Sequence, residues 1–190
     1  MSRRIVAFGC SQTYGHGLPD CIDPNQNNSK PSQHAWPYLI DKSCVNLAEP
    51  GGSNKLAVQR ALQHNWQPND VAVFAWTYIN RSTVFGKKTI NLGTWPSAER
   101  CVQTWKHFVA TANSNDNFCF DAMIYVNYMK LHLPVPNYHF TVDKDLHQYM
   151  NFETICLDDL QIDHAADGLH YGIETHKSIA TLVSQAIASN

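Results

Sequence analysis

The chain has 190 residues, 44% of them hydrophobic, enough to bury one sizeable core and hardly two, so a single domain over residues 1–190 is expected. A formal charge of −2 and an isoelectric point near 6.5 give no long-range field for a polyanion, which argues against nucleic acid or an anionic membrane surface as partner. The six cysteines lie far apart without a CxxC pair, as free thiols of a reducing compartment do. The apolar run from Ile5 to Phe8 is too short for a signal-peptide core or a membrane span, so the cytoplasm is the expected location.

In chain order, Arg4–Phe8 is a short apolar run that stops at Gly9 and reads as a buried strand meeting a tight turn. Leu18–Gln33 is rich in Pro, Asn, Asp and Ser, with little to bury, and predicts a long surface loop. Ala35–Lys42 fits a short helix and Ser43–Leu47 a second strand ending before Pro50, Gly51 and Gly52. Asn54 is placed to cap a helix whose Leu56, Val58, Ala61 and Leu62 face a sheet. After a turn at Pro68–Asp70, Val71–Trp76 is apolar throughout, as a central parallel strand covered on both faces must be. Ser97–Thr111 has helical spacing, an Asn-rich turn follows, and Phe118–Tyr125 is another apolar run. Met129–Asn151 has no secure pattern, and its stretch from Pro134 to Tyr149 is a candidate lid or protein contact. Glu174–Ala188 closes the chain as an amphipathic helix with Ile179, Leu182, Val183 and Ile187 on one face. Strands alternating with helices imply a three-layer α/β/α sandwich around a mostly parallel sheet.

In such sheets ligands bind beyond the carboxyl ends of the strands, so the segments after each strand are the place to look for chemistry. After the first strand comes Gly9-Cys10-Ser11-Gln12-Thr13-Tyr14-Gly15. Small residues there let the backbone turn sharply and expose the Ser11 hydroxyl, either as a nucleophile or simply as a turn cap. Before the last helix comes Asp167-Gly168-Leu169-His170. A serine needs an imidazole to take its proton, and the imidazole needs a carboxylate to fix its tautomer; alternatively Asp167 is a helix cap and His170 a packed ring. Cys10 is a rival nucleophile, but adjacent residues leaving a strand point in different directions, so only one of the two can face His170. Asp163, His164, Asp167 and His170 form the tightest cluster of metal-ligating residue types, without an HExxH or paired Cys/His spacing beside it. His34, His64, His107, His132, His139 and His147 read as surface or rim residues. Tyr14, Trp36, Trp76, Tyr78 and Trp95 fall near the presumed mouth, with Trp36 and Trp76 better read as core.

Taken together, these motifs resemble the SGNH (GDSL-like) hydrolases over nearly the whole chain. The first block matches at Gly9–Gly15, the last at Asp167–His170, and the glycine of the second at Gly51-Gly52-Ser53-Asn54. The third block departs: the central strand continues Trp76-Thr77-Tyr78-Ile79-Asn80-Arg81, with no asparagine at the family's position. The resemblance implies the flavodoxin-like SGNH fold and a catalytic triad of Ser11, His170 and Asp167. It also implies oxyanion donors drawn from Gly52, Asn54 and Asn80, no metal or other cofactor, and small acyl esters or acetylated glycans as substrates. Gly-Cys-Ser, Gly-Gly-Ser-Asn, Trp-Thr with a nearby Arg81, and Asp-Gly-Leu-His together resemble SGNH-like proteins of tailed bacteriophages. This implies, as the alternative, a catalytically weak or idle component of a virion with other virion proteins as partners. Arg81 would then stand at the pocket rim, where it binds an anionic or sugar group or is merely an exposed structural arginine.

Overall fold

A computed structural model describes residues 3–22, 30–96, 99–111, 116–150 and 155–189. Strand β1 (Arg4–Phe8) lies beside β3 (Asp70–Trp76) in parallel register, Arg4 opposite Asp70 and Phe8 opposite Phe74. The short β2 (Val45–Asn46) flanks β1, and β6 (Asn137–Thr141) flanks β3, giving the parallel order β2-β1-β3-β6. Every residue of β3 is buried, as its unbroken apolar run predicts for a strand covered on both faces.

The period-2 alternation of β1 and β3 sorts their side chains between two cores. Ile5, Ala7, Val71, Val73 and Ala75 face helices α2 (Trp36–Ile40) and α7 (Ile173–Ala188) through Trp36, Ile179, Val183 and Ile187. Val6, Phe8, Ala72, Phe74 and Trp76 face α3 (Asn54–Gln63), α5 (Asp116–His132) and α6 (Lys144–Met150) through Ala57, Ala61, Val126, Met129 and Leu146. The result is the three-layer α/β/α sandwich expected from the sequence. Among the described residues no helix is long and apolar enough to cross a membrane.

Several sequence expectations are corrected. The cap of α3 is Ser53, whose Oγ accepts the Leu56 N–H at 3.3 Å, while Asn54 is the first helical residue. Leu62 points to solvent at 58% exposure, so α3 covers the sheet with Leu56, Ala57 and Ala61. Strand β2 is shorter than Ser43–Leu47, and the Asn46 side chain at its end donates to the Thr13 carbonyl and accepts the Ala48 N–H. In the expected surface loop, Leu18, Cys21 and Ser32 are buried; its residues 23–29 lie outside the described residues. Of the helix expected over Ser97–Thr111, α4 spans Arg100–Thr111, and residues 97–98 are not described. The run Phe118–Tyr125 belongs to α5.

Of the unassigned stretch after Met129, Asn151 lies outside the described residues; the described residues complete α5 and supply β6 and α6, and none of Pro134 to Tyr149 lines the cavity that Ser11 lines, as a lid would. Its strand escapes pattern reading because Asn137-Tyr138-His139-Phe140-Thr141 carries polar residues on a sheet edge, with His139 itself buried. Trp76 Nε1 donates to His139 Nδ1 at 3.1 Å, and Phe8, Phe74, Trp76 and His139 form a ladder of near-parallel rings. A hairpin of β4 (Ser82–Val84) and β5 (Ile90–Leu92) also follows β3 unannounced. It returns the chain to the carboxyl end of the sheet.

Candidate active site

The chain leaves β1 at Gly9, where no larger residue fits: a Cβ there would lie 2.3 Å from Thr13 Oγ1 and 3.2 Å from the Ala75 carbonyl. This tight turn puts Cys10 and Ser11 on opposite sides. The Cys10 side chain is fully buried in the core with Trp36 and Tyr171; Ser11, expected to be exposed, is itself only 5% exposed, opens α1 (Ser11–Tyr14) and lines a cavity of about 390 Å³. The chain then folds back, with Gly15 N–H and His16 N–H both donating to the Ser11 carbonyl.

On the opposite wall stands the segment before α7. Asp167 Oδ1 accepts the N–H groups of Leu169 and His170 at 2.9 and 3.0 Å, and its Oδ2 lies 2.6 Å from His170 Nδ1. Partial burial opposes ionisation of Asp167, but those two backbone donors and the His170 ring outweigh it and hold its pKa down to about 2. An ionised Asp167 keeps the proton on Nδ1 and leaves Nε2 with a free lone pair. The segment is anchored to the chain after β1: Tyr171 N–H donates to Gln12 Oε1 at 3.0 Å and Ala166 N–H to the Gly17 carbonyl at 3.2 Å. Ser11 and His170 therefore line the same cavity, held by adjacent anchors. Among the described residues no hydrogen bond joins the Ser11 hydroxyl to the ring; such contacts often tighten only when substrate is bound.

The three oxyanion candidates are placed differently. Gly52 N–H donates to the Glu49 carbonyl at 2.9 Å and so is engaged within its own loop. The Asn54 amide is buried and clamps the Thr77 backbone, accepting its N–H at 2.7 Å and donating to its carbonyl at 3.0 Å. Neither lines the cavity. Asn80 does, together with Gln12, Tyr78, Arg81, Thr94, Trp95 and Leu169.

Of the aromatics expected at the mouth, Tyr78 and Trp95 line this cavity. Trp36 and Trp76 are core, and Tyr14 borders a separate groove with Arg60 and Glu49. Among the histidines expected at the surface, His139 is the clear exception. The cluster expected around Asp163 and His164 does not form: Asp163 accepts the Glu174 and Thr175 N–H groups at the start of α7, and His164 meets Gln161. Instead His16 stacks on His170 with ring centroids 4.3 Å apart, and His16, Asp167 and His170 hold ligand-type atoms within 4.8 Å of one another. Within this group Asp167 is engaged by His170 Nδ1 at 2.6 Å, and the two rings lie face to face, inclined by 28°. Sequence reasoning missed His16, Gln12 and Thr94. The first two lie inside or next to the Gly9–Gly15 block, where their proximity to Ser11 was a usable signal. Thr94 is brought in by the hairpin.

A parallel sheet in the order β2-β1-β3-β6 flanked by helices on both faces is the fold of SGNH (GDSL-like) hydrolases. The structure is similar to a carbohydrate acetylesterase family member from Sinorhizobium meliloti, with a TM-score of 0.55, 10% identity, and 98% of each chain covered. It is similar to an inhibitor-bound aryl esterase of M. smegmatis, with a TM-score of 0.55, 9% identity, and 99% of each chain covered. A GDSL-like lipase from Bacteroides thetaiotaomicron aligns with a TM-score of 0.54 at 11% identity, over 98% of this chain and 88% of the other. At this identity the likeness defines the fold. No protein-family profile and no curated protein matches the chain.

Proposed function

We propose that the protein is a serine acyl hydrolase acting on small acyl esters, O-acetyl groups of carbohydrate among them. One observation carries the reading: an Asp167–His170 dyad with a 2.6 Å contact at Nδ1, on a cavity that Ser11 also lines. His170 Nε2 takes the Ser11 proton as Oγ attacks the ester carbonyl; Asp167 steadies the imidazolium, which then protonates the leaving alcohol. Water activated by the same nitrogen releases the acid from the acyl-serine. The Ser11 N–H, which makes no internal hydrogen bond among the described residues, and the Asn80 amide are the candidate oxyanion donors. The chemistry calls for no cofactor.

A second reading, an idle SGNH-fold component of a phage particle, draws on the Gly52 and Asn54 hydrogen bonds, which commit two of the expected oxyanion donors elsewhere. Losing one such donor costs on the order of a hundredfold in rate. The test is p-nitrophenyl acetate hydrolysis by the wild type beside Ser11→Ala and His170→Ala. Turnover by the wild type alone, with both variants at background, is expected. Three equally inactive proteins would favour the second reading.

A further inference from the structure

Among the described residues Arg81 is the one arginine or lysine lining the Ser11–His170 cavity, and no aspartate or glutamate lines that cavity with it. Its guanidinium carbon sits 4.7 Å from the Tyr78 ring centroid and 5.7 Å from that of Trp95, and Nη1 donates to Thr77 Oγ1 at 3.2 Å. Among the described residues no carboxylate pairs with it. Asp121 borders a narrow pocket of about 70 Å³ that Arg81 also lines, and makes no ion pair with it there. Trp95 is fixed in turn: a Cβ on Gly93 would lie 1.7 Å from its ring, so the wall requires glycine at that position. A half-buried guanidinium held near two aromatic rings and by one hydrogen bond has most of its five N–H donors unused, without a counter-ion among the described residues. That arrangement suits the planar, two-pronged acceptor of a carboxylate.

We propose that Arg81 is a specificity residue, and that this cavity prefers esters whose alcohol portion carries a carboxylate, such as an acetylated sugar acid. The proposal rests on the hydrolase reading above. Arg81 binds the anion while Ser11 attacks the neighbouring acyl group, so the charge is recognised apart from the reacting carbonyl.

The experiment compares kcat/KM for acetylated methyl galacturonoside with that for its neutral methyl ester, and for O-acetyl lactate with O-acetyl lactamide. The acid should be preferred by about tenfold to a hundredfold in at least the sugar pair, and the preference should shrink as ionic strength is raised to about 0.5 M. A preference in both pairs assigns recognition to the carboxylate alone; one confined to the sugar pair adds a requirement for the ring. Arg81→Gln should bring the ratio to about one, and Arg81→Lys should retain part of it. A wild-type ratio of one or less, or a ratio that survives in folded Arg81→Gln, overturns the proposal. If Arg81→Gln does not fold, the wild-type ratio and its salt dependence decide. If no ester turns over, the hydrolase reading fails and binding decides the anion site: in tryptophan fluorescence titrations, methyl galacturonoside should bind about tenfold or more tighter than its methyl ester, and equal affinities overturn it.

Discussion

In the proposed hydrolase mechanism, the orientation of the His170 ring decides which nitrogen is left for proton transfer. Asp167 fixes that choice twice, through Oδ2 on Nδ1 and through Oδ1 on the His170 backbone N–H, so ring and main chain are held by one carboxylate. Asp167→Asn keeps the shape but offers an amide whose donor face favours the wrong tautomer. Esterase kcat should fall by about 10³–10⁴-fold with little change in KM, read by steady-state kinetics on p-nitrophenyl acetate. A loss of only a few fold would mean that Asp167 acts as a loop tie rather than as the orienter of the ring. The sequence offered Asp167 as a helix cap instead; its two backbone bonds go to Leu169 and His170, within the turn before α7.

Between elements, Asn54 joins the first turn of α3 to the chain leaving β3, with both ends of its amide engaged by Thr77. Asn54→Leu would leave a buried N–H and a buried C=O of Thr77 unpaired, at about 1–3 kcal/mol each. In a domain of this length that lowers the thermal midpoint by on the order of 10 °C, measurable by differential scanning calorimetry. If Asn54 were instead an oxyanion donor, kcat would drop with the midpoint unchanged. The sequence drew attention to Asn54 for its residue type beside a glycine pair. It could not reveal that a backbone 23 residues away claims the side chain, because that contact depends on how α3 and β3 pack.

Across the whole molecule, two histidines make folding sensitive to acid. Burial, reinforced by Lys130, holds His139 down to about 3; burial, partly offset by Asp163, holds His176 down to about 4. His139 receives the Trp76 indole N–H and His176 the Trp36 backbone N–H, each through Nδ1, so both are structural acceptors in their neutral form. Between pH about 6.5 and 4 the unfolded chain binds protons at both sites and the folded chain does not. Stability should therefore fall as pH drops through that window, by up to about 1.4 kcal/mol per pH unit for each histidine. Urea midpoints measured from pH 7 to pH 4.5 test this, and His139→Phe, which keeps a ring in the ladder, should flatten the slope by one histidine's share. A midpoint independent of pH would contradict the burial argument.

The sequence by itself determined the layered α/β class, the central strand, the closing helix and the Ser11 and Asp167–His170 segments as places to look for chemistry. Each of these is written in local terms: period-2 and helical apolar spacing, glycines at a strand exit, a short Asp-to-His interval. Tertiary structure alone decided the rest. Strand β6 pairs only because β3 offers it an edge, and its buried His139 reads as polar until Phe74 and Trp76 enclose it. The placement of His16 on His170, of Asn54 on Thr77, and of Arg81 near Tyr78 and Trp95 likewise follows from which chain ends the sheet brings together. Contacts between residues distant in sequence leave no periodicity to read, which is why the walls of the cavity were less legible than the strand ends that open onto it.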